Sequence, residues 1–220
     1  MNQVNYQKEL EKILNTLQEK GEAVPDHRPP RLFLHSCCAP CSSYCLEYLC
    51  RYFLITVFYY NPNISFSEEY RKRVAEQKRL IAAYNKEEKG WPIDIVEGDY
   101  EPERFYEMAK GYENCPEGGE RCFRCFDLRL RRTAELAAAG GYDYFATTLT
   151  ISPLKNAAKI NEIGQTISGE YAIPWLPSDF KKKNGYKRSI ELSAEYELYR
   201  QNYCGCAFSK SEREAQTANA

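Results

Sequence analysis

Residues 31–41 read Arg-Leu-Phe-Leu-His-Ser-Cys-Cys-Ala-Pro-Cys, which places three cysteines directly after a short apolar run. The apolar run from Arg31 to His35 predicts a short buried strand. Cysteines follow directly at the end of that strand, and residues 42–51 can form a helix. Ligands of open α/β sheets bind outside the carboxyl ends of the strands. We therefore expect the functional site at Cys37–Cys41.

Outward from this stretch, apolar runs alternate with helical patterns along the chain. Further strands are predicted at residues 53–60, 92–96, 144–148 and 173–176, and further helices at 67–84, 102–110, 128–139, 156–168 and 189–199. This alternation is typical of an α/β fold with a mostly parallel sheet and helices on both faces.

Three stretches of the chain differ in character. Residues 1–30 hold an N-terminal helix, Tyr6 to Lys20, and a proline-containing linker from Pro25 to Pro30. Residues 31–210 form a cysteine-rich α/β catalytic domain, and residues 211–220 are a polar C-terminal tail. The chain is long enough for one such domain with a sizeable core, and a second full domain would be cramped.

Composition and compartment bear on the ten cysteines of the 220-residue chain. The sequence predicts no secretory signal and no apolar run that could span a bilayer, so we expect a cytoplasmic protein without a membrane partner. Thiols stay reduced in the cytoplasm, and clustered cysteines there indicate metal binding or redox catalysis. The net charge of −1 does not by itself indicate a nucleic-acid partner.

Two cysteine motifs predict the metal centre. Cys37-Cys38 and Cys122-x-x-Cys125 can supply four thiolates, which suit either zinc or an iron–sulfur cluster. Neighbouring cysteines form a poor zinc knuckle, because their side chains diverge, and this favours the cluster. The alternative is that all of them are buried thiols packing as small apolar groups. For Cys45 and Cys50 we expect that role, and Cys115 has no clear role.

The Cys204-Gly205-Cys206 motif is a third feature. A disulfide across one residue closes a strained ring that is easily reduced, so the pair suits electron relay. The alternative is two idle thiols in a turn. Asp127 is a candidate oxygen ligand or proton donor, or an ordinary carboxylate near a helix start. His35 is a candidate hydrogen-bond donor to the centre, or a satisfied core histidine.

Basic residues cluster between Asp179 and Arg188, and we consider them candidates for binding the phosphates of an RNA: Lys181, Lys182, Lys183, Lys187 and Arg188. Tyrosines could stack on splayed bases: Tyr59, Tyr60, Tyr70 and Tyr186. The alternative is an ordinary solvated surface balanced by acidic neighbours.

The motifs in chain order resemble one family. His35-Ser36-Cys37-Cys38-Ala39-Pro40-Cys41, Tyr60-Asn61-Pro62-Asn63, Glu117 to Phe126, Thr147 to Asn156, Asp179 to Arg188 and Tyr203 to Cys206 together resemble the QueH family of epoxyqueuosine reductases. The resemblance runs from about Leu32 to Ser209 and leaves the N-terminal helix outside.

The resemblance implies a single-domain Rossmann-like fold similar to adenine nucleotide α-hydrolase-like proteins, with the N-terminal helix as an extension. It implies iron–sulfur-dependent reduction of epoxyqueuosine to queuosine at the wobble position of a tRNA with a GUN anticodon, the final step of queuosine biosynthesis. An electron donor is implied without being identified.

The resemblance also assigns residues. It implies a [4Fe-4S] cluster on Cys37, Cys38, Cys122 and Cys125, and a redox-active pair at Cys204 and Cys206. Some members of the family carry an additional mononuclear iron, for which Cys41 or Asp127 is the candidate ligand here.

Three rival functions are weighed against this one. The first is a zinc-binding RNA module without catalysis. The second is an ATP-using tRNA-thiolating enzyme, disfavoured because Ser36 to Pro40 lacks the glycines of a phosphate loop. The third is a simple thiol–disulfide oxidoreductase, which would not need so many clustered cysteines.

Overall fold

A four-stranded, all-parallel sheet forms the centre of the computed structural model, which describes residues 4–23 and 28–218. Its strands are β1 (Arg31–His35), β2 (Leu54–Tyr59), β3 (Asp94–Glu97) and β4 (Tyr144–Thr147) in the order β3-β2-β1-β4. The helices are α1 (Tyr6–Ala23), α2 (Ala39–Leu49), α3 (Ser67–Lys86), α4 (Pro102–Ala109), α5 (Glu120–Ala139), α6 (Ala157–Tyr171), α7 (Gly185–Glu195) and α8 (Ala207–Ala218), with one 3₁₀ turn (Thr148–Ile151). Among these helices, none has the length and apolar character needed to cross a bilayer.

Both faces of the sheet are covered, as the alternation of strands and helices predicts. In β1, Leu32 and Leu34 join one core cluster, whereas Phe33 between them joins the other. The first cluster includes residues of α1, α2 and α3, and the second includes residues of α5 and α6. Side chains that alternate between two buried faces are typical of a parallel sheet enclosed by helices. The structure thus confirms a single Rossmann-like α/β domain.

The register of the strands aligns the carboxyl ends of β1, β2 and β4. His35, the last residue of β1, pairs with Phe58 of β2 and with Thr147 of β4. The chain segments that follow these strands therefore leave the sheet at the same edge. The cysteines after β1 lie at that edge.

Several elements differ from the sequence-based expectation. Helix α5 begins at Glu120, not Leu128, because Gly119 has extended backbone angles and acts as its N-cap. The segment 173–176 contributes a single bridge, Phe145 to Trp175, instead of a strand. The polar residues 211–218 belong to α8. Helix α1 continues to Ala23, beyond the expected end at Lys20, and part of the predicted linker lies outside the described residues.

Candidate thiol-rich redox site

Three thiols meet at the carboxyl end of β1. The sulfur atoms of Cys37, Cys38 and Cys41 all lie within 4.8 Å of one another, with 3.9 Å between those of Cys37 and Cys38. Cys38 is the N-cap of α2, and Cys41 follows three residues later in the first turn. Hydrogen bonds from Cys38 and Cys41 lower the pKa of the Cys37 thiol, and the same contact raises the pKa of Cys38 to about 12. This group can hold a metal ion.

The second motif lies in the first turn of α5. Cys122 and Cys125 are three residues apart, and Arg129 follows one turn later on the same side of the helix. The backbone N–H of Gly118 donates to the sulfur of Cys122 at 3.2 Å. Cys122 packs against the core cluster that contains Cys37 and Cys38, although it is not part of their compact group. The two motifs therefore approach one region from two helices.

The third motif, Cys204-Gly205-Cys206, lies in the loop before α8 and contacts this region. All ten cysteines are free thiols, including Cys204 and Cys206. Cys206 is buried in a small cluster with Cys125 and Phe105, and its sulfur accepts a hydrogen bond from the N–H of Ser209 at 3.3 Å.

The loop that carries the pair is held in place by backbone contacts. Arg73 donates to the carbonyl oxygen of Cys204 at 3.0 Å, and the N–H of Ser65 donates to the carbonyl oxygen of Gly205 at 3.1 Å. Gly205 has φ of +128°, and a Cβ atom there would lie 2.9 Å from a side-chain carbon of Ile64. Only glycine fits this position without strain.

A cavity of about 170 Å³ lies between the first and third motifs. Its lining includes Cys37, Cys38, Cys41 and Cys204. Its charged lining residues are Arg73, Glu117, Lys155, Arg200 and Arg213. The structure therefore brings the first and third motifs to one cavity, with four cationic side chains against one carboxylate.

Arg129 is a buried cation without a carboxylate partner in the described part of the chain. It is 0% exposed; its Nε donates to the carbonyl oxygen of Cys125 at 3.2 Å, and its Nη1 donates to Oδ1 of Asn61 at 3.3 Å. Its Nη2 has no hydrogen-bond partner. Burial disfavours the charge, but Cys125, Cys204 and Cys37 outweigh that effect and raise the pKa of Arg129.

Lys155 repeats this arrangement from the loop after the 3₁₀ turn. It lines the cavity and, within residues 4–23 and 28–218, has no carboxylate within ion-pair distance. Burial opposes its charge, while Cys204, Cys37 and Cys41 raise its pKa. Buried charges are retained where an opposite charge compensates them, so the fully buried Arg129 and the partly buried Lys155 indicate a site that can hold negative charge.

Arg129 is among the basic residues that surround the CxxC motif in the sequence, but sequence reasoning assigned neither cation to charge compensation at the thiols. Arg129 had a usable signal, since it follows Cys125 by one helical turn once α5 is extended to Glu120. Lys155 had none in its local sequence, because only the folded chain brings its loop to the thiols.

His35 is a satisfied core histidine. Its Nε2 donates to the carbonyl oxygen of Tyr60 at 3.1 Å, so its Nδ1 accepts from the hydroxyl of Thr147 at 2.8 Å. Burial, with a smaller contribution from Arg129, lowers the pKa of His35 to about 3. The ring is therefore neutral with both nitrogen atoms occupied, which disfavours a role as donor to the thiol site.

Asp127 lies away from the thiols. Its carboxylate accepts from Nε of Arg131 at 2.8 Å, and it is partly exposed. Two residues after Cys125, it is about 200° further around the helix, at roughly 100° per residue. The structure thus brings Cys41, and not Asp127, to the first cysteine motif.

Ion pairs occupy three of the five basic residues considered for tRNA binding. Lys181 pairs with Asp179 at 2.6 Å, Lys183 pairs with Glu11 at 2.5 Å, and Arg188 contacts both carboxylate oxygens of Glu47 at 2.7 and 3.0 Å. The last two contacts join the segment to α1 and α2.

The remaining candidates for tRNA binding divide by exposure. Lys182 and Lys187 are exposed and have no carboxylate within ion-pair distance among the described residues. Of the tyrosines, Tyr59 and Tyr60 are fully buried, whereas Tyr186 is exposed and lines the cavity.

The donor set fits an anionic metal cofactor. Five thiols from two motifs surround a region that also contains Arg129 with an unpartnered nitrogen atom. Four thiolates around an iron–sulfur cluster leave it with a net negative charge, which such cations would offset. A parallel α/β domain with thiols and unpaired cations at its strand ends defines a class of thiol-rich proteins that could hold a metal.

Comparison with known proteins specifies the family. The family model described as epoxyqueuosine reductase QueH matches residues 32–212. A Staphylococcus epidermidis protein named epoxyqueuosine reductase QueH is 44% identical over 207 residues, covering 93% of this chain and 84% of that protein. Proteins of the same name from Streptococcus pyogenes (41%; 93% and 78% covered) and Thermotoga maritima (36%; 85% and 94% covered) are also similar. The chain belongs to the epoxyqueuosine reductase QueH family.

Proposed function

We propose that this chain reduces epoxyqueuosine to queuosine at the wobble position of tRNA with a GUN anticodon, in an iron–sulfur-dependent reaction. Membership of the QueH family supports the reaction. The observation that carries the proposal is that Cys37, Cys38, Cys41 and Cys204, from opposite ends of the chain, line one cavity at the strand ends.

Cys37, Cys38, Cys122 and Cys125 are the proposed ligands of a [4Fe-4S] cluster. Such a cluster, when bound, supplies electrons one at a time. Arg129 offsets its negative charge from within the core. Cys41 is left as a fifth thiol beside Cys37 and Cys38, which makes it the candidate ligand for an additional mononuclear iron.

Cys204 and Cys206 are the proposed electron store. Oxidation of the dithiol to a disulfide releases two electrons and two protons. Removal of the epoxide oxygen consumes the same number: both carbon–oxygen bonds break, a carbon–carbon double bond forms, and the oxygen leaves as water. An external electron donor then restores the dithiol. Because Cys204 lines the cavity, its thiol is the one that faces the substrate.

Substrate docking and compartment complete the proposal. Lys182 and Lys187 are exposed cations next to α7, whose Tyr186 borders the cavity, and they are proposed to contact tRNA phosphates. We place the protein in the cytoplasm, where thiols stay reduced.

Anaerobic purification and conversion of tRNA carrying epoxyqueuosine test the proposal. We expect a brown protein with iron and acid-labile sulfide that forms queuosine with a chemical reductant, read by nucleoside mass spectrometry. Cys125→Ser should lose cluster and product, whereas Cys50→Ser, a buried thiol outside the site, should retain both. A cluster-loaded protein that forms no queuosine would contradict the reaction.

A zinc-binding RNA module is the second candidate. The compact group of Cys37, Cys38 and Cys41 favours it, since ligand atoms within 4.8 Å of one another suit a single ion. A colourless protein with one zinc per chain, purified without air, would support this candidate and exclude the cluster.

A further inference from the structure

We propose that Arg200 and Arg213 form an anion subsite at the mouth of the cavity, which binds a backbone phosphate of the anticodon loop beside the wobble nucleotide. This inference rests on the proposed function for the identity of the RNA. It adds a binding site that the basic segment 181–188 does not contain.

Arg200 and Arg213 are placed where a ligand of the cavity would enter. Both arginines line the same cavity as Cys37 and Cys204. Arg200 is exposed and Arg213 is half-buried, whereas Cys37 is only 8% exposed. The arginines therefore lie at the outer end of the cavity and the thiols at its inner end. Arg200 precedes Cys204 by four residues, and Arg213 follows on α8, so the two flank the redox pair in the chain.

The guanidinium charges of Arg200 and Arg213 are available to bind an anion. Arg200 donates to the hydroxyl of Ser193 at 3.0 Å, and Arg213 donates to the side chain of Gln216 at 3.1 Å. Neither has a carboxylate within ion-pair distance in the part of the chain that the structure describes. Nε of Arg213 is buried without any hydrogen-bond partner. An unpaired buried guanidinium nitrogen is costly unless a ligand completes it.

The other charged groups of the cavity already have partners or lie with the thiols. Arg73 is paired with Glu69 at 2.7 Å, and Glu117 accepts a hydrogen bond from Ser209 at 3.1 Å. Lys155 lies with the thiols. Arg200 and Arg213 are thus the cations left for a ligand that enters from outside. Guanidinium groups bind phosphate through two parallel hydrogen bonds, and a wobble base that enters this cavity carries its flanking phosphates to the mouth.

Binding of an unmodified tRNA transcript with a GUN anticodon tests the subsite separately from the chemistry. The holoprotein and its Arg200→Met and Arg213→Met variants, matched for iron content and circular dichroism, are titrated by fluorescence anisotropy over a series of KCl concentrations. Each variant should bind about tenfold more weakly at low salt, and its plot of log Kd against log salt should be shallower by about one phosphate contact.

Arg51→Met is the matched control. Arg51 is exposed, has no ion pair among the described residues, and follows α2 just before β2 begins, at the opposite edge of the sheet from the cavity. Its loss should change neither the affinity nor the salt dependence.

A neutral backbone linkage locates the contact. An anticodon stem–loop with methylphosphonates at the two linkages flanking nucleotide 34 should bind the wild-type protein more weakly, and the loss should be reduced in the Arg213→Met variant. An equal loss in both proteins, or arginine variants with wild-type salt dependence, would overturn the subsite. Failure of a tRNA-binding wild-type protein to form queuosine would instead overturn the proposed function and leave the subsite standing.

Discussion

The guanidinium group of Arg129 lies among sulfur atoms, 0% exposed, with one nitrogen atom that has no hydrogen-bond partner. Without a cofactor only the cysteine thiols offset this charge, whereas a buried cation needs a full compensating anion. With a cluster bound, the same charge becomes favourable. A single side chain thereby has opposite effects on the stability of the metal-free and the metal-loaded protein.

Replacement of Arg129 by Met should reveal this change of sign. We expect the metal-free variant to be as stable as the wild type or about 1 kcal/mol more stable, because a poorly compensated charge is removed. Iron uptake during anaerobic reconstitution should fall. Urea unfolding and iron analysis measure the two effects. Arg132→Met on the same helix is the control, because it removes a partly exposed cation paired with Glu135 at 2.9 Å. It should change neither the stability nor the iron uptake. Undiminished iron uptake by R129M would refute the role of Arg129 in offsetting the cluster's charge.

Gly205 provides a second test at the level of one residue. Gly205→Ala places a Cβ atom at φ of +128° and 2.9 Å from Ile64, so we expect a loss of about 1–3 kcal/mol in unfolding free energy. Gly169→Ala in α6 is the control, because nothing lies within 4 Å of its added Cβ. That variant should be unchanged or slightly more stable. Urea unfolding measures the stability of both variants. Equal stabilities would show that a Cβ atom at position 205 does not clash with Ile64.

Helix α8 connects the segment of Cys204 and Cys206 to the second cysteine motif. Glu212 accepts from Nη2 of Arg121 at 3.0 Å and from the N–H of Glu117 at 3.0 Å. Ser209 donates to Glu117 and accepts from the N–H of Cys204 at 3.1 Å. Arg121 is only 1% exposed and precedes Cys122 directly. The helix therefore holds two thiol-bearing segments in one arrangement.

Neutralising Glu212 should loosen that arrangement. In Glu212→Gln, the buried Arg121 loses its carboxylate, for which we expect a loss of about 3 kcal/mol in stability. Alkylation of Cys206 under native conditions should become faster, as followed by mass spectrometry. Glu214→Gln, on the same helix, removes only an exposed partner of Lys210 at 3.9 Å. If the two variants are alkylated at the same rate, α8 does not restrain the pair.

Across the whole molecule, α1 extends the first core beyond the region matched by the family model, which begins at residue 32. Leu10 and Leu14 are 0% and 2% exposed, and Glu11 pairs with Lys183. The N-terminal helix is thus part of the packed domain. Its polar contacts lie with Tyr48 of α2 and with Lys183 before α7, outside the compact group of Cys37, Cys38 and Cys41.

Leu10→Ala should consequently lower stability without altering the site. We expect a loss of about 2–5 kcal/mol, from the lost transfer free energy and the cavity left behind. Iron content per folded chain should stay at the wild-type level. Val4→Ala, which shortens a side chain 55% exposed, is the control for stability. Thermal unfolding and iron analysis test both expectations, and a matching fall in iron content would show that α1 supports the site.

The sequence predicts some levels of this architecture better than others. Strands β1 and β2 were predictable because both of their faces are largely buried and most of their residues are apolar. Helix α8 was not, since Ser209 is its only fully buried residue and the helix is held by polar contacts. The cysteine motifs were visible as motifs, but Lys155, Arg200 and Arg213 join the cavity only through tertiary packing, which has no local pattern.

The sequence separation between the thiols that line the cavity has a consequence for biosynthesis of the protein. Cys37 and Cys38 are synthesised early, and Cys204 follows Cys38 by 166 residues. The first core and its thiols can fold during translation, but the cavity acquires its remaining wall only after residues 200–213 have been synthesised and packed. Until then we expect the early thiols to face solvent, so that the nascent chain is more open than the folded protein to iron delivery and to oxidation.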